Sequence, residues 1–95
     1  MLTYKAAYKY VPGGVHAHVL DFPGAISSGA DLDDARRMIA SALLDLAELA
    51  LERGESLPIP DPTSTDPDAD IEEPLHLHLC ASTGVDLVPA GVVVP

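Results

Sequence analysis

The feature that most constrains the fold is one long run of helix-forming residues between a start signal and a stop signal. Asp31 is a typical helix N-cap residue, and Asp34 three positions later gives an acidic variant of the capping box. Asp33 and Asp34 also suit the positive end of the helix dipole. Gly54 is a typical residue just past a helix end. The Ala- and Leu-rich sequence between these signals predicts a single helix ending at Arg53, about 33 Å long at 1.5 Å per residue.

The predicted helix has two apolar faces when its residues are placed at 100° steps. The broader face is expected to lie on a sheet, and it contains Leu32, Ala35, Met38, Ile39, Ala42, Leu43, Leu46, Leu49 and Ala50. A second stripe contains Ala40, Leu44, Ala47 and Leu51. This stripe is either the margin of a wide buried face, a surface covered by the C-terminal tail, or a helix contact in an oligomer.

Three short strands are predicted before the helix. Residues 2–10 alternate apolar and polar positions, which is typical of a half-buried strand. A Pro-Gly-Gly turn at 12–14 leads into a second alternating strand at 15–20, so an antiparallel hairpin is expected. A second turn at 21–24 precedes a short third strand at 25–28.

The chain changes character after the helix. Residues 58–74 contain five prolines, six acidic residues and no base, and they predict an extended, mobile linker that is either a spacer or an acidic recognition segment. Residues 75–80 alternate Leu with His and Cys and predict the last regular strand. The apolar tail at 84–95 is expected to add an edge strand, to cover the helix or to reach a neighbouring protomer. The whole chain, residues 1–95, is therefore interpreted as a single domain.

The charge is strongly acidic and unevenly placed. Five Lys and Arg residues against fifteen Asp and Glu residues give a net charge of −10, although 47% of the residues are hydrophobic. This balance disfavours binding to nucleic acid phosphates or to an anionic membrane, and the apolar content excludes a wholly disordered chain. The acidic residues are concentrated in the helix and in residues 61–73. With no leader-like N-terminus and a lone Cys80, we expect a cytoplasmic protein without an internal disulfide.

Two His-x-His pairs are the only visible cluster of metal-binding residue types. They are His16 with His18 and His76 with His78. Because residues i and i+2 of a strand share a face, each pair could ligate zinc, nickel or copper. The alternative is that both pairs occupy the solvent face of the sheet. No nucleophile motif or phosphate-binding loop is present, so we expect neither catalysis nor a cofactor.

The order of these elements resembles the HicB-type antitoxin family. The resemblance rests on the Asp21-Phe22-Pro23-Gly24 turn, Gly29 five residues later, and the Leu32-Asp33-Asp34-Ala35 segment that opens the long helix. It implies an α+β fold of β-β-β-α-β order, a partial ribonuclease-H-like domain in which an antiparallel hairpin sheet carries one long helix on one face. The chain would be a lone domain of this type, without a DNA-binding domain.

The resemblance also implies a partner and an assembly. Members of this family neutralise a small basic toxin of the HicA type, an mRNA-cleaving ribonuclease, and form homodimers or tetramers. The sequence departs from the family where Leu20 replaces a frequent Pro and Ala25 a frequent Cys. Two other functions stay open: a stand-alone homo-oligomeric structural or regulatory domain without a toxin, and a metal-binding domain built on the His pairs.

Overall fold

The protein folds as one antiparallel sheet with a single long helix on one face. A computed structural model of the chain describes residues 2–80 and 84–88. The α+β class predicted from the sequence is confirmed, and the five strands lie in the order β3-β2-β1-β4-β5. The elements are β1 (Leu2–Val11), β2 (Gly14–Val19), β3 (Ile26–Gly29), α1 (Leu32–Glu52), β4 (Ile71–Cys80) and β5 (Gly84–Val88).

The predicted hairpin and third strand are confirmed. β1 and β2 pair antiparallel with Tyr8 opposite Ala17, and β2 pairs with β3 with Ala17 opposite Ser27. Alternate residues of β1 and β2 point toward α1 and form the core, which we call the inner face of the sheet. Its buried members are Tyr4, Ala6, Tyr8, Val15, Ala17, Val19 and Leu77, with Phe22, Ala25 and four helix residues packed against them.

Both predicted helix ends are confirmed. The Asp31 carboxylate accepts a hydrogen bond from Asp34 N at 2.8 Å, and the Asp34 carboxylate accepts one from Ala30 N at 2.9 Å. At the other end Gly54 adopts a φ of +72°, which is the left-handed conformation that Gly adopts without strain. Gly54 N donates to Leu51 O at 3.1 Å and Glu55 N donates to Ala50 O at 2.8 Å, the bonding pattern of a Schellman motif.

The predicted faces of the helix are partly wrong. The buried positions are Ala35, Ile39, Leu43 and Ala47, so Ala47 belongs to the core although it was placed in the second stripe. Met38 and Leu49 were expected to lie on the sheet, but they are 46% and 40% exposed. Arg36 lies on the same side of α1 as Ala47, and its guanidinium donates two hydrogen bonds to Glu73 of β4, at 2.8 and 3.1 Å. The buried face is therefore centred between Ala35 and Ala47, and this side of the helix lies toward β4.

The last regular strand begins earlier than predicted. β4 starts at Ile71 rather than at residue 75, so the final four residues of the predicted linker are strand. Pro74 lies inside β4 opposite Lys5 of β1. Among the described residues β5 pairs with His76–Cys80, so the one described neighbour of β4 at Pro74 is β1.

The C-terminal tail supplies an edge strand, one of the three roles left open for it. β5 pairs antiparallel with β4, with Leu87 opposite Leu77. β5 also lies close to α1, as expected for a tail that covers the helix. Residues 81–83 and 89–95 lie outside the described residues, and the predicted contact of the tail with a neighbouring protomer stays a prediction.

Candidate binding surface

The face of the sheet opposite α1, which we call the outer face, is covered by residues 58–70, which we call the acidic segment. Lys5 Nζ donates to Ser64 O at 2.8 Å and Lys9 Nζ donates to Asp68 O at 2.9 Å. Between these two lysines Ala7 points to the same face and is only 1% exposed. The segment is extended, as predicted, and two lysines of β1 bind its backbone along the sheet.

The Asp-Phe-Pro-Gly turn fixes the start of the acidic segment. The Asp21 carboxylate accepts hydrogen bonds from Asp61 N and from Ser64 Oγ, each at 2.9 Å. Asp21 has a φ of +67°, an uncommon conformation for a residue with a side chain, and it aims the carboxylate at the segment. The next residue, Phe22, is buried and meets the Tyr4 ring edge to face, with centroids 5.4 Å apart. The turn thus joins the core to the acidic segment.

Further backbone contacts hold both ends of the acidic segment. The Tyr4 hydroxyl donates to the carbonyl oxygen of Pro58. At the other end Asp70 N donates to Tyr8 O at 2.8 Å, and the Asp70 carboxylate accepts from Tyr10 N at 2.8 Å. Burial raises the pKa of Tyr4 above its ordinary value, with a smaller contribution from the negative charge of Asp21. The Tyr4 hydroxyl is therefore held in its neutral, donating form.

The other residues of the signature turn have structural positions. Pro23 and Gly24 are exposed, and Gly24 adopts a φ of +88° that only Gly tolerates easily. Gly29 lies where β3 meets the first turn of α1, and a Cβ built on it would lie 2.3 Å from Ala35 N. The turn and Gly29 therefore position the acidic segment and the helix on opposite faces of the sheet.

A cavity of about 400 Å³ lies between the acidic segment and the outer face. Four carboxylates line it, and each accepts a hydrogen bond from the chain itself: Asp21 from Ser64, Asp61 from Thr63, Glu72 from Thr65 and Glu73 from Arg36. The hydroxyl and N–H of Thr63 donate to Asp61 at 2.7 and 2.9 Å and lower the pKa of this carboxyl, which nearby Lys5 lowers further. All four carboxylates are therefore engaged in contacts within the fold.

Every basic side chain of the protein is engaged with a group of its own chain. Lys5 and Lys9 are bound to the acidic segment as described. Arg36 binds Glu73 and also binds Asp33 at 3.0 Å. Arg37 binds Asp34 at 2.8 Å, and Arg53 lies 4.0 Å from Glu55. The lysines are bound by carbonyl oxygens rather than by carboxylates, so the acidic segment keeps its negative charge. The surface charge that remains for a partner is negative.

The two His pairs lie on the outer face but far from each other. β1 separates β2 from β4, and His18 is opposite Ala7 whereas His76 is opposite Thr3, four residues further along β1. His18 Nε2 lies 3.4 Å from an Asp66 oxygen, and His76 Nδ1 lies 2.9 Å from Thr3 Oγ1. Within residues 2–80 and 84–88, no group of three or more His, Cys, Asp or Glu side chains is placed to hold a metal ion.

The second helix stripe is not a continuous surface. Ala47 is fully buried, and Leu44 is partly buried against the core. Ala40 is also partly buried, which leaves Leu51, at 40% exposure, as the one exposed member of the four. Three of its four members are thus partly or fully buried, which is compatible with the margin of the buried face and with cover by the tail, whose strand β5 lies close to α1.

Sequence reasoning missed the docking of the acidic segment, although a signal was present. Lys5 and Lys9 flank a small apolar residue on one face of β1, and a segment rich in acid and proline follows later in the chain. Ala7 is a small apolar residue between two lysines on a polar face, which is consistent with a segment that covers this face.

Comparisons with known proteins provide no family for this chain: no protein-family model and no curated protein matches it. α1 is the one helix among the described residues, and it lacks an apolar stretch long enough to cross a membrane.

Proposed function

We propose that this protein is a non-catalytic, antitoxin-like binding module of the partial ribonuclease-H-like type. In the cytoplasm it would bind and neutralise a small basic mRNA-cleaving toxin of a type II toxin–antitoxin system. The support from the fold is the β-β-β-α order of the first four elements. The Asp21 turn and Gly29 lie at the junctions between them.

The observation that carries the proposal is that the basic side chains are paired within the chain, whereas acidic side chains are in large excess. Four of the five bases are hydrogen-bonded within the chain and the fifth, Arg53, lies 4.0 Å from Glu55, while the net charge of −10 leaves ten acidic groups in excess. Such a surface repels RNA and attracts a basic protein, and the attraction raises the rate of encounter. A protein that neutralises a basic ribonuclease needs this combination, because it must occupy the surface that otherwise binds RNA.

The acidic segment is the part of this surface best prepared for binding. Its backbone is fixed at Pro58, Ser64, Asp68 and Asp70, so little conformational entropy remains to be lost when a partner binds. Asp68 projects an exposed carboxylate from this fixed backbone. A rigid row of carboxylates facing a basic surface favours specific pairing over loose attraction.

The test looks for a small basic protein encoded beside this chain and measures its binding by calorimetry and by inhibition of its RNA cleavage. One variant neutralises the segment with Asp66→Asn, Asp68→Asn and Asp70→Asn, since Asn keeps a hydrogen-bond acceptor at each position. The matched control removes the same charge from the solvent side of α1 with Asp45→Asn, Glu48→Gln and Glu52→Gln. We expect the segment variant to lose at least tenfold in affinity and the helix variant to lose much less. Absence of binding by the unmodified protein would overturn the proposal.

A further inference from the structure

We propose that Ile59 is the apolar anchor of the complex with the basic partner, an inference that rests on the function proposed above. Its side chain fills an apolar pocket that the partner carries between cationic side chains. Ile59 is 86% exposed, more than any other large hydrophobic side chain among the described residues. It belongs to the acidic segment, so this apolar surface lies within the part of the protein that attracts a basic partner.

The backbone on both sides of Ile59 has few conformations open to it. In residues 57–62, which we call the proline arm, every second residue is proline. Proline fixes its own φ at about −65°, and the residue before a proline is confined to extended conformations. Ile59 lies between two prolines, so both constraints act around it. Little conformational entropy is therefore lost when a partner binds this arm.

The fold also holds the proline arm at both ends. Leu57 packs against the core, and the Tyr4 hydroxyl donates to the carbonyl oxygen of Pro58. At the other end Asp61 N donates to the Asp21 carboxylate at 2.9 Å. An exposed isoleucine on a mobile loop is common at protein surfaces and needs no partner. Here the neighbouring residues are fixed, so the arm presents its isoleucine in one position.

Negative charge lies directly beside the anchor. Pro60, the next residue after Ile59, lines the cavity of about 400 Å³ between the acidic segment and the outer face. Four carboxylates and one cation, Lys5, line the same cavity, so three negative charges are in excess there (4 − 1). A pocket that receives Ile59 therefore fits best when basic side chains border it. Basic side chains of this kind are what a protein needs to bind RNA phosphates.

Apolar and charged contacts act on different steps of binding. Opposite charges steer the approach of two proteins, so they mainly raise the association rate, and salt weakens their effect. An apolar side chain acts only once it is buried in its pocket, so its removal mainly raises the dissociation rate. Ile59 should therefore control the dissociation rate, and the aspartates of the acidic segment should control the association rate.

The test measures both rates by surface plasmon resonance with the small basic protein found encoded beside this chain. Ile59→Ser removes the apolar surface, whereas Ile59→Val keeps most of it. The matched control Ile26→Ser makes the same change at an isoleucine that is 70% exposed and lies in β3, which β2 separates from β1. Both isoleucines are exposed, so neither substitution opens the core, and circular dichroism establishes that each variant is folded.

We expect Ile59→Ser to raise the dissociation rate by about tenfold or more, at low and at high salt, with the association rate unchanged. Ile59→Val should raise it only about fourfold, because it removes a single CH₂ group. Ile26→Ser should leave both rates as they are.

A dissociation rate that Ile59→Ser leaves unchanged would overturn this inference while the proposed function stands. So would an equal effect of Ile26→Ser. A change in the sedimenting mass of the free chain on Ile59→Ser would also contradict it, since Ile59 would then be covered by a second copy. Absence of binding by the unmodified protein would overturn both the inference and the proposed function.

Discussion

Replacing Gly29 by Ala tests how closely the helix is seated on the sheet. A Cβ at this position would lie 2.3 Å from Ala35 N, 2.7 Å from Asp34 C and 2.8 Å from Ala35 Cα. Ordinary contact begins at 3.4 Å, so the first turn of α1 must move by about 1.1 Å (3.4 − 2.3). All three atoms are backbone, and no side chain can rotate to relieve the overlap. Ala35 is itself fully buried, so this displacement also opens the core.

The expected cost is about 3 kcal/mol, the upper part of the range for overpacked sites. For a domain of this size that loss lowers the melting temperature by roughly 12–24 °C. The assay is urea denaturation followed by circular dichroism, with thermal unfolding as a second measure. Gly13→Ala is the control, because Gly13 has no atom within 4 Å of a built Cβ and only its φ of +87° causes strain. That strain costs about 1–2 kcal/mol. If Gly29→Ala loses less stability than Gly13→Ala, the close seating of the helix is refuted.

Three further measurements probe the core, the acidic segment and the caps. Leu43→Ala should lower the free energy of unfolding by about 2–5 kcal/mol, measured by urea denaturation, because Leu43 is fully buried. Leu51→Ala should cost well under half as much, because Leu51 is 40% exposed. Equal losses would contradict the assigned helix faces. Asp21→Ala should release the acidic segment and speed proteolysis within residues 58–70, while Asp21→Asn keeps an acceptor and the left-handed conformation; equal cleavage of the two variants would argue against the Asp21 contacts. Hydrogen bonds lower the pKa of Asp34, chiefly through Ala30 N, and they lower that of Asp61 through Thr63. The two ionised carboxylates therefore stabilise the folded protein above the pKa of the unfolded chain. This contribution is lost as the pH falls through the lower pKa of the folded protein. Unfolding measured from pH 7 to pH 2 should therefore show stability falling below about pH 4, less steeply in the Asp34→Asn variant, and parallel curves would contradict this cause.

Local signals in the sequence predicted the elements and their ends. Asp31, Gly54 and the Pro-Gly-Gly turn act through neighbouring backbone groups, so their effect is readable from a few adjacent residues. The alternation in β1 and β2 likewise reports which residues share a face. These predictions are confirmed because the physics that determines them is local.

The errors all involve contacts between residues far apart in the chain. The buried face of the helix includes Ala47, and Arg36 on the same side binds Glu73, thirty-seven residues later. The acidic segment is docked because Lys5 binds Ser64 and Asp21 binds Asp61. Neither partner can be identified from composition, since a proline-rich acidic stretch is equally compatible with a spacer and with a docked segment. The binding surface could therefore be predicted as acidic, but not as ordered.

The central claim is that the ordered acidic surface neutralises a basic ribonuclease. The most direct measurement is RNA cleavage by a small basic protein found encoded beside this chain, titrated with this chain at low and at high salt. We predict complete inhibition near one chain per toxin molecule at low salt, and an affinity that falls as salt screens the opposite charges. Cleavage that continues unchanged at a molar excess of this chain would contradict the account.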